Sequence, residues 1–389
     1  MAVAVAVAVA VAVAAAPQHE PGARRPRVKT SDFDYELPPD RIAQHPAPRR
    51  DASRLLALDR ATGSIAHHTF VDLPGLLRAG DLLIVNDTRV IPARLFGMLR
   101  RVGATGAGAS GAHEREVEVL LLREEPAVAP ERIWSVLAKP ARALHPPAML
   151  GFTDPSYTAS VIGVGDRGVR RIAFRPTRES AEPFEAWLSR VGHVPLPPYI
   201  ARADEPEDRE RYQTIFARES GSVAAPTAGL HFTPDVVARA ESRGARFASV
   251  TLHVGPGTFR PVAAEDPAQH VLDSEPYRVP PETAEAIQAI SREGGRVIAV
   301  GTTAVRTLES WARDGRPQDG AWRETDLFIL PPFEFQVVRA MITNFHLPRS
   351  TLLMLVSAFA GRDHALAAYA EAMRQGYRFY SYGDAMLIS

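Results

Sequence analysis

Residues 223–259 read VAAPTAGLHFTPDVVARAESRGARFASVTLHVGPGTF. A polar loop carrying Thr227 and His231 leads into Thr233, which is suited to cap a helix. Pro234 fits the first helical position, and Gly244 suits the stop. Phe247 to Val254 is apolar and rich in β-formers, as a buried strand is, and it runs into His253 and a Gly-Pro-Gly turn. Loop, helix, buried strand and loop in this order belong to an α/β layer. The two histidines fall in loops at element ends, where functional groups concentrate.

The same alternation extends outward. Helical periods cover Ala181–Val191, Pro234–Arg243 and Pro281–Arg292, and strands cover Phe247–Val254, Arg296–Val300 and Val337–Phe345. Upstream, Arg54–Asp59 and Ser64–Phe70 flank Ala-Thr-Gly as a hairpin. Leu82–Asn86 is a strand, and Leu37–Gln44 reads as a short helix. Between these parts the texture changes. Ala93–Arg100, Glu116–Glu124, Arg132–Ala138, Tyr157–Val164 and Gly168–Phe174 are strand-like runs with no helix among them, the pattern of a small β-barrel. The expected fold is therefore an α/β domain with a mixed sheet (28–92 and 179–389) and an inserted β-barrel domain (93–178). The run MAVAVAVAVAVAVAAA opens residues 1–27, which read as a low-complexity disordered tail. It is too short for a confident membrane span and has no basic residue before it, so neither a span nor a signal peptide is expected.

With 389 residues and 46% hydrophobic content the chain can bury a large core. Its formal net charge is zero, so a nucleic-acid partner requires a local basic patch. Lysine occurs only at Lys29 and Lys139; the arginine excess suits phosphate contacts but also follows from GC-rich coding. The absence of cysteine excludes disulfides, cysteine nucleophiles and thiolate-held iron–sulfur clusters. There is no phosphate-binding P-loop. Gly106, Gly108 and Gly111 spell G-x-G-x-x-G, but between strands rather than between a strand and a helix, so they read as a hairpin loop.

Five constellations can carry chemistry. Small residues around Thr227, Gly229 and His231 allow close ligand approach; His231 serves as a general base, a ribose contact or simply a bonded loop histidine. Gly255, Gly257 and Thr258 follow His253 in a turn open to a ligand or merely ending a strand. Gly301-Thr302-Thr303 opens a helix that either threonine can cap. Its free amides favour an anion such as an amino-acid carboxylate or a phosphate, with Arg306 one turn in. Asn344 and His346 are placed on one strand face, the first able to read a base edge, the second to move protons. In YRFYSYGD (residues 377–384), Tyr380 and Tyr382 can stack a base or fill a core, Arg378 can reach a phosphate, and Asp384 can accept from a cationic amine.

AAPTAGLHF and TLHVGPGTF, both within the opening stretch, resemble signatures of the S-adenosylmethionine:tRNA ribosyltransferase-isomerase family of queuosine biosynthesis. So do NDTRVIPARLFG (86–97), GHVPLPPYI (192–200), VIAVGTTAVRTLES (297–310), TNFHLPRSTLLMLVSAFAG (343–361) and YRFYSYGDAMLI (377–388). The resemblance runs in family order from about Ser31 onward; the tail and Val102–His113 look like additions. It implies an α/β domain with an inserted barrel, in a cytoplasmic, metal-free monomer. It further implies transfer and isomerisation of the ribosyl part of S-adenosylmethionine onto 7-aminomethyl-7-deazaguanine at the tRNA wobble position. The product is epoxyqueuosine; adenine and methionine leave, and S-adenosylmethionine is a substrate, not a resident cofactor. Within that chemistry His253, His231 and His346 fit acid–base duties and Asp384 could orient the amine. Arg89, Arg94 and Arg378 are the expected tRNA contacts. A methyltransferase is disfavoured because no Gly-rich loop opens a βαβ unit, and a bare RNA-binding module leaves the polar clusters at strand ends unexplained.

Overall fold

The computed structural model describes residues 28–100, 115–177, 182–255, 257 and 262–389. The tail, the glycines at 106–111 and Thr258 lie outside the described residues.

The chain enters through the antiparallel hairpin β1 (Arg54–Leu58) and β2 (Ile65–Thr69), the short helix α1 (Leu73–Leu76) and the strands β3 (Leu82–Asn86) and β4 (Thr88–Val90). Six strands then close a barrel: β5 (Arg94–Arg100), β6 (Arg115–Glu125), β7 (Arg132–Lys139), β8 (Met149–Gly151), β9 (Tyr157–Val164) and β10 (Arg170–Pro176). Every pairing in it is antiparallel, so hairpin links suffice and no helix is needed. Alternate residues such as Leu95, Val117, Val119, Val136, Ile172 and Phe174 fill the interior. Helix α2 (Phe184–Val191) packs Phe184, Trp187 and Leu188 onto them.

After α3 (Asp208–Arg211) and β11 (Glu219–Ser222) the chain alternates: α4 (Pro234–Ser242), β12 (Arg246–Leu252), β13 (Glu275–Arg278), α5 (Pro281–Glu293), β14 (Val297–Val300) and α6 (Thr302–Arg313). It ends through β15 (Arg323–Thr325), β16 (Ala340–Asn344), α7 (Thr351–Ala360), α8 (Arg362–Arg374) and β17 (Ala385–Ile388). Nine strands form one mixed sheet in the order β15-β13-β12-β3-β14-β16-β17-β1-β2, with β12, β3, β14 and β16 parallel. The sheet is buried on both sides. Leu82 and Ile84 join the core under α5 to α8, whereas Leu83 and Val85 join the one under α1 and α4. Burial on both faces explains the unbroken apolar run at residues 82–85.

Thr233 caps α4 through Val236 N and Pro234 takes the first helical position, as the sequence requires. Four local expectations need correction. Leu37–Gln44 makes only one 3₁₀ turn, Pro39–Arg41. Neither Thr302 nor Thr303 caps α6; both are helical, behind Gly301, which makes no side-chain cap. β16 starts at Ala340 and not Val337, because the carboxylate of Glu309 takes the amides of Gln336, Val337 and Val338 (2.8–3.1 Å). His346 is therefore not on a strand face with Asn344: β16 ends at Asn344, and the His346 amide donates to the Tyr369 hydroxyl at 3.0 Å.

Candidate active site

Topology collects the polar motifs. The four parallel strands point their carboxyl ends to one edge of the sheet, delivering Asn86, His253, Gly301–Thr303 and Asn344 there. β17 runs antiparallel to β16 and β1 parallel to β17, so Asp384 and Ser53, just before those strands, reach the same edge. Ligands of open α/β sheets bind outside this edge.

Deep in the edge lies a directional chain of hydrogen bonds. Thr227 donates to Asn344 Oδ1 at 2.9 Å. Asn344 Nδ2 faces the carbonyls of Tyr380 (3.3 Å) and Asp384 (3.5 Å) and lies 3.1 Å from His231 Nε2. An amide can only donate there, so Nε2 accepts and Nδ1 carries the hydrogen toward Ser53 Oγ at 2.7 Å. Ser53 donates onward to the Arg50 carbonyl at 3.3 Å. Burial, reinforced by Arg378 and Arg50, lowers the His231 pKa to about 3, so the ring is neutral. His231 thus locks Asn344 and aims Thr227, whose hydroxyl lone pairs remain for a ligand.

His253 stands differently. It opens into a cleft of about 880 Å³ between barrel and sheet, lined also by Arg89, Arg123, Trp134, Arg167, Gly221 and Asp273. Nδ1 lies 2.7 Å from Thr88 Oγ1, which donates to the Glu219 carbonyl at 3.5 Å. The tautomer with the hydrogen on Nδ1 satisfies both contacts and leaves Nε2, with no hydrogen-bond partner among the described residues, as a lone pair. The ring stacks on half-exposed Trp322 at 5.0 Å. Gly221, at φ +147°, makes the room: a Cβ there would lie 2.8 Å from Nε2. Burial lowers the His253 pKa, opposed by Glu219 and Asp87 and assisted by Arg278.

A second cavity, of about 50 Å³, is lined by Thr227, Gly301, Thr302, Thr303, Asn344, His346 and Tyr380; Val254 borders both spaces. His346 Nε2 meets Thr343 Oγ1 at 2.8 Å, and burial lowers its pKa to about 3. The structure therefore divides the three histidines instead of gathering them.

The other expected residues serve varied ends. Arg306 is drawn away from the helix start: it pairs with buried Glu275 and donates to the Leu327 carbonyl at 3.1 Å. Glu275 in turn accepts from the Gly255 amide at 2.7 Å, which fixes the turn after His253. A Cβ on Gly257 would lie 2.6 Å from Asp273 Oδ2. Asp384 accepts the amides of Arg54 (2.9 Å) and Arg378 (2.8 Å), and burial raises its pKa. Gly229 backs onto Thr214, at 2.8 Å from where its Cβ would be. Tyr382 is buried and donates to Asp208 at 2.7 Å. Arg94 pairs with Glu118 (3.1 Å) and donates to the Leu196 carbonyl (2.8 Å). Arg378 donates to the His45 carbonyl at 3.2 Å. Arg89 is exposed at the cleft and donates to the Ala217 carbonyl at 2.8 Å. Sequence reasoning missed Ser53, Thr88, Gly221, Glu275 and Trp322. Thr88 sits inside a quoted motif; nothing local marks the others.

A family model described as "Queuosine biosynthesis protein" matches residues 30–388. The chain belongs to this family. Its similarity to S-adenosylmethionine:tRNA ribosyltransferase-isomerases is close. It is 51% identical to that of Citrifermentans bemidjiense, over 92% of this chain and 99% of the relative. It is 50% identical to that of Symbiobacterium thermophilum, over 93% and 100%. The crystal structure of S-adenosylmethionine tRNA ribosyltransferase from Thermotoga maritima is 38% identical over 92% of this chain and 100% of its own, with a TM-score of 0.49. The queuosine-family chain is thus matched across both its barrel and its sheet, by enzymes covered nearly end to end.

Proposed function

We propose that this protein transfers and isomerises the ribosyl moiety of S-adenosylmethionine onto 7-aminomethyl-7-deazaguanine at the wobble position of a tRNA. Epoxyqueuosine forms in the tRNA, and adenine and methionine are released. The enzyme acts in the cytoplasm as a monomer, with S-adenosylmethionine as a consumed substrate and no metal. Family membership supports the reaction. The observation that carries the site is the free Nε2 of His253 over Gly221, at the wall of a cleft large enough for a nucleoside.

A sulfonium acidifies the carbon beside it, and a neutral imidazole at that carbon removes a proton while the C–H electrons stay on carbon as an ylide. Nδ1 of His253, held by Thr88, keeps the lone pair on Nε2, and the lowered pKa keeps the ring unprotonated at neutral pH. The proton gained is then available to departing adenine. Adenine leaves with the electron pair of its bond to ribose as the ylide pair closes the new carbon–carbon bond. The neutral amine of the deazaguanine then bonds to carbon as the nucleophile, shedding a proton and freeing the ring oxygen, which closes the epoxide as methionine leaves with the C–S electron pair. Arg89 at the cleft mouth meets a tRNA phosphate.

One assay tests the reading: incubation with S-adenosylmethionine and precursor-bearing tRNA. Free adenine is expected. S-adenosylhomocysteine would show a methyltransferase instead, and binding without product an RNA-binding module.

A further inference from the structure

The small cavity beneath Val254 has a composition suited to one chemical group. Helix α6 opens on it with Gly301 at φ +91°, and the first amide bonded within the helix is that of Val305, to the Gly301 carbonyl at 3.2 Å. The amides of Thr302, Thr303 and Ala304 therefore have no acceptor inside the helix. No side chain caps this end, although two threonines stand at it. A helix start left bare is not by itself a site; two further groups give it a purpose. Thr303 and Tyr380 both line the cavity and are more than nine-tenths buried, and their hydroxyls make no hydrogen bond among the described residues. Thr303 Oγ1 lies 3.6 Å from where a Gly301 Cβ would be, so it folds back over the opening of the helix. Burial raises the Tyr380 pKa, so the phenol remains a donor.

Orphaned buried hydroxyls are costly and rare, and a ligand that accepts from them removes the cost. The lining holds no aspartate, glutamate, lysine or arginine, since Arg306 is committed to Glu275. Amides at a helix start with two hydroxyl donors and no competing acid make an acceptor-seeking site for a small anion. About 50 Å³ admits a carboxylate, not a nucleoside. Resting on the proposed reaction, we infer that this cavity takes the α-carboxylate of the methionyl part of S-adenosylmethionine, held by the amides at the start of α6, the Thr303 hydroxyl and the Tyr380 phenol. The shared border at Val254 then carries the molecule from this anchor toward His253 in the larger cleft.

The probes are S-adenosylmethionine and its decarboxylated form, which keeps the sulfonium nucleoside and loses only the carboxylate. Calorimetric titration of the full chain should show the carboxylated probe bound about tenfold or more tightly, the scale of a hydrogen-bonded charge. Thr303→Val and Tyr380→Phe should each reduce that preference by about three- to thirtyfold, with binding of the decarboxylated probe unchanged and the Tm of the free protein unchanged or raised. Equal affinity of the unaltered protein for both probes would overturn the inference. So would variants that lose both probes in parallel, or lose Tm with them, since the hydroxyls would then be structural. Adenine release from precursor-bearing tRNA is scored alongside: release without carboxylate preference sinks only this subsite, and no release with either probe sinks the proposed reaction.

Discussion

Asn344 Nδ2 lies 3.1 Å from Nε2 of His231, and the same nitrogen faces two backbone carbonyls. That contact assigns the imidazole: Nδ1 bears the hydrogen, Nε2 only accepts, and neither is left over for proton transfer. Nitrogen-15 spectra should show His231 as the neutral Nδ1–H form, unchanged between pH 5 and 8. An imidazolium signal within that range, or the other tautomer, would return His231 to the list of bases.

His253 carries the opposite expectation. Its Nε2 is open and its Nδ1 held. His253→Ala should lower adenine release by about 10²- to 10⁴-fold, the range of general acid–base help, with S-adenosylmethionine affinity nearly unchanged. Gly221→Ala should also slow turnover, because the new Cβ meets Nε2 at 2.8 Å. Turnover within about threefold of normal in both variants places the base elsewhere.

Acid should destabilise the fold through its buried histidines. Both His231 and His346 have native pKa values near 3, well below the ordinary 6.5. The unfolded chain therefore binds two protons that the folded chain refuses, so their stability contribution is intact above about pH 6.5 and is lost as pH falls toward 3. At pH 5, His346→Gln should reduce the slope of unfolding free energy against pH by about 1.4 kcal/mol per unit. Urea unfolding at several pH values measures it, and an unaltered slope refutes it.

Asp384 holds two backbone amides. Asp384→Asn turns one acceptor into a donor facing an N–H and should cost about 1–3 kcal/mol of stability. If the variant is as stable as the parent but inactive, Asp384 belongs to the chemistry instead.

Arg89 and Arg94 should separate in tRNA binding. Arg94 is committed to Glu118 and Leu196, whereas Arg89 faces the cleft exposed. Arg89→Ala should flatten the log–log salt dependence by about 0.7–0.9. Arg94→Ala should leave the slope alone and lower Tm. The reverse result would move the footprint onto barrel strand β5.

Local chemistry was legible in advance. The cap at Thr233, the strand at residues 82–86 and the helix-free barrel texture follow from rules that span a few residues. Strand order is non-local, so nothing in the chain announces that Ser53 and Asp384 share an edge with His253. Helix α7 escaped for another reason: LLMLVSAFA is buried nearly all round, so it has no polar face to set a period. Arg306 lies one turn into α6, and nothing near it in sequence signals that its partner is Glu275 on strand β13.

Strand β17 sits between β16 and β1, so the hairpin made early is tied to the sheet only by residues made very late; Arg54 and Asp384 are 330 positions apart. A lone hairpin is marginal in water. During synthesis β1 and β2 must therefore wait, unattached, until β17 has left the ribosome, and Ser53 waits with them. The edge that holds His231 is completed last, so a nascent chain can own every histidine and still lack a working site.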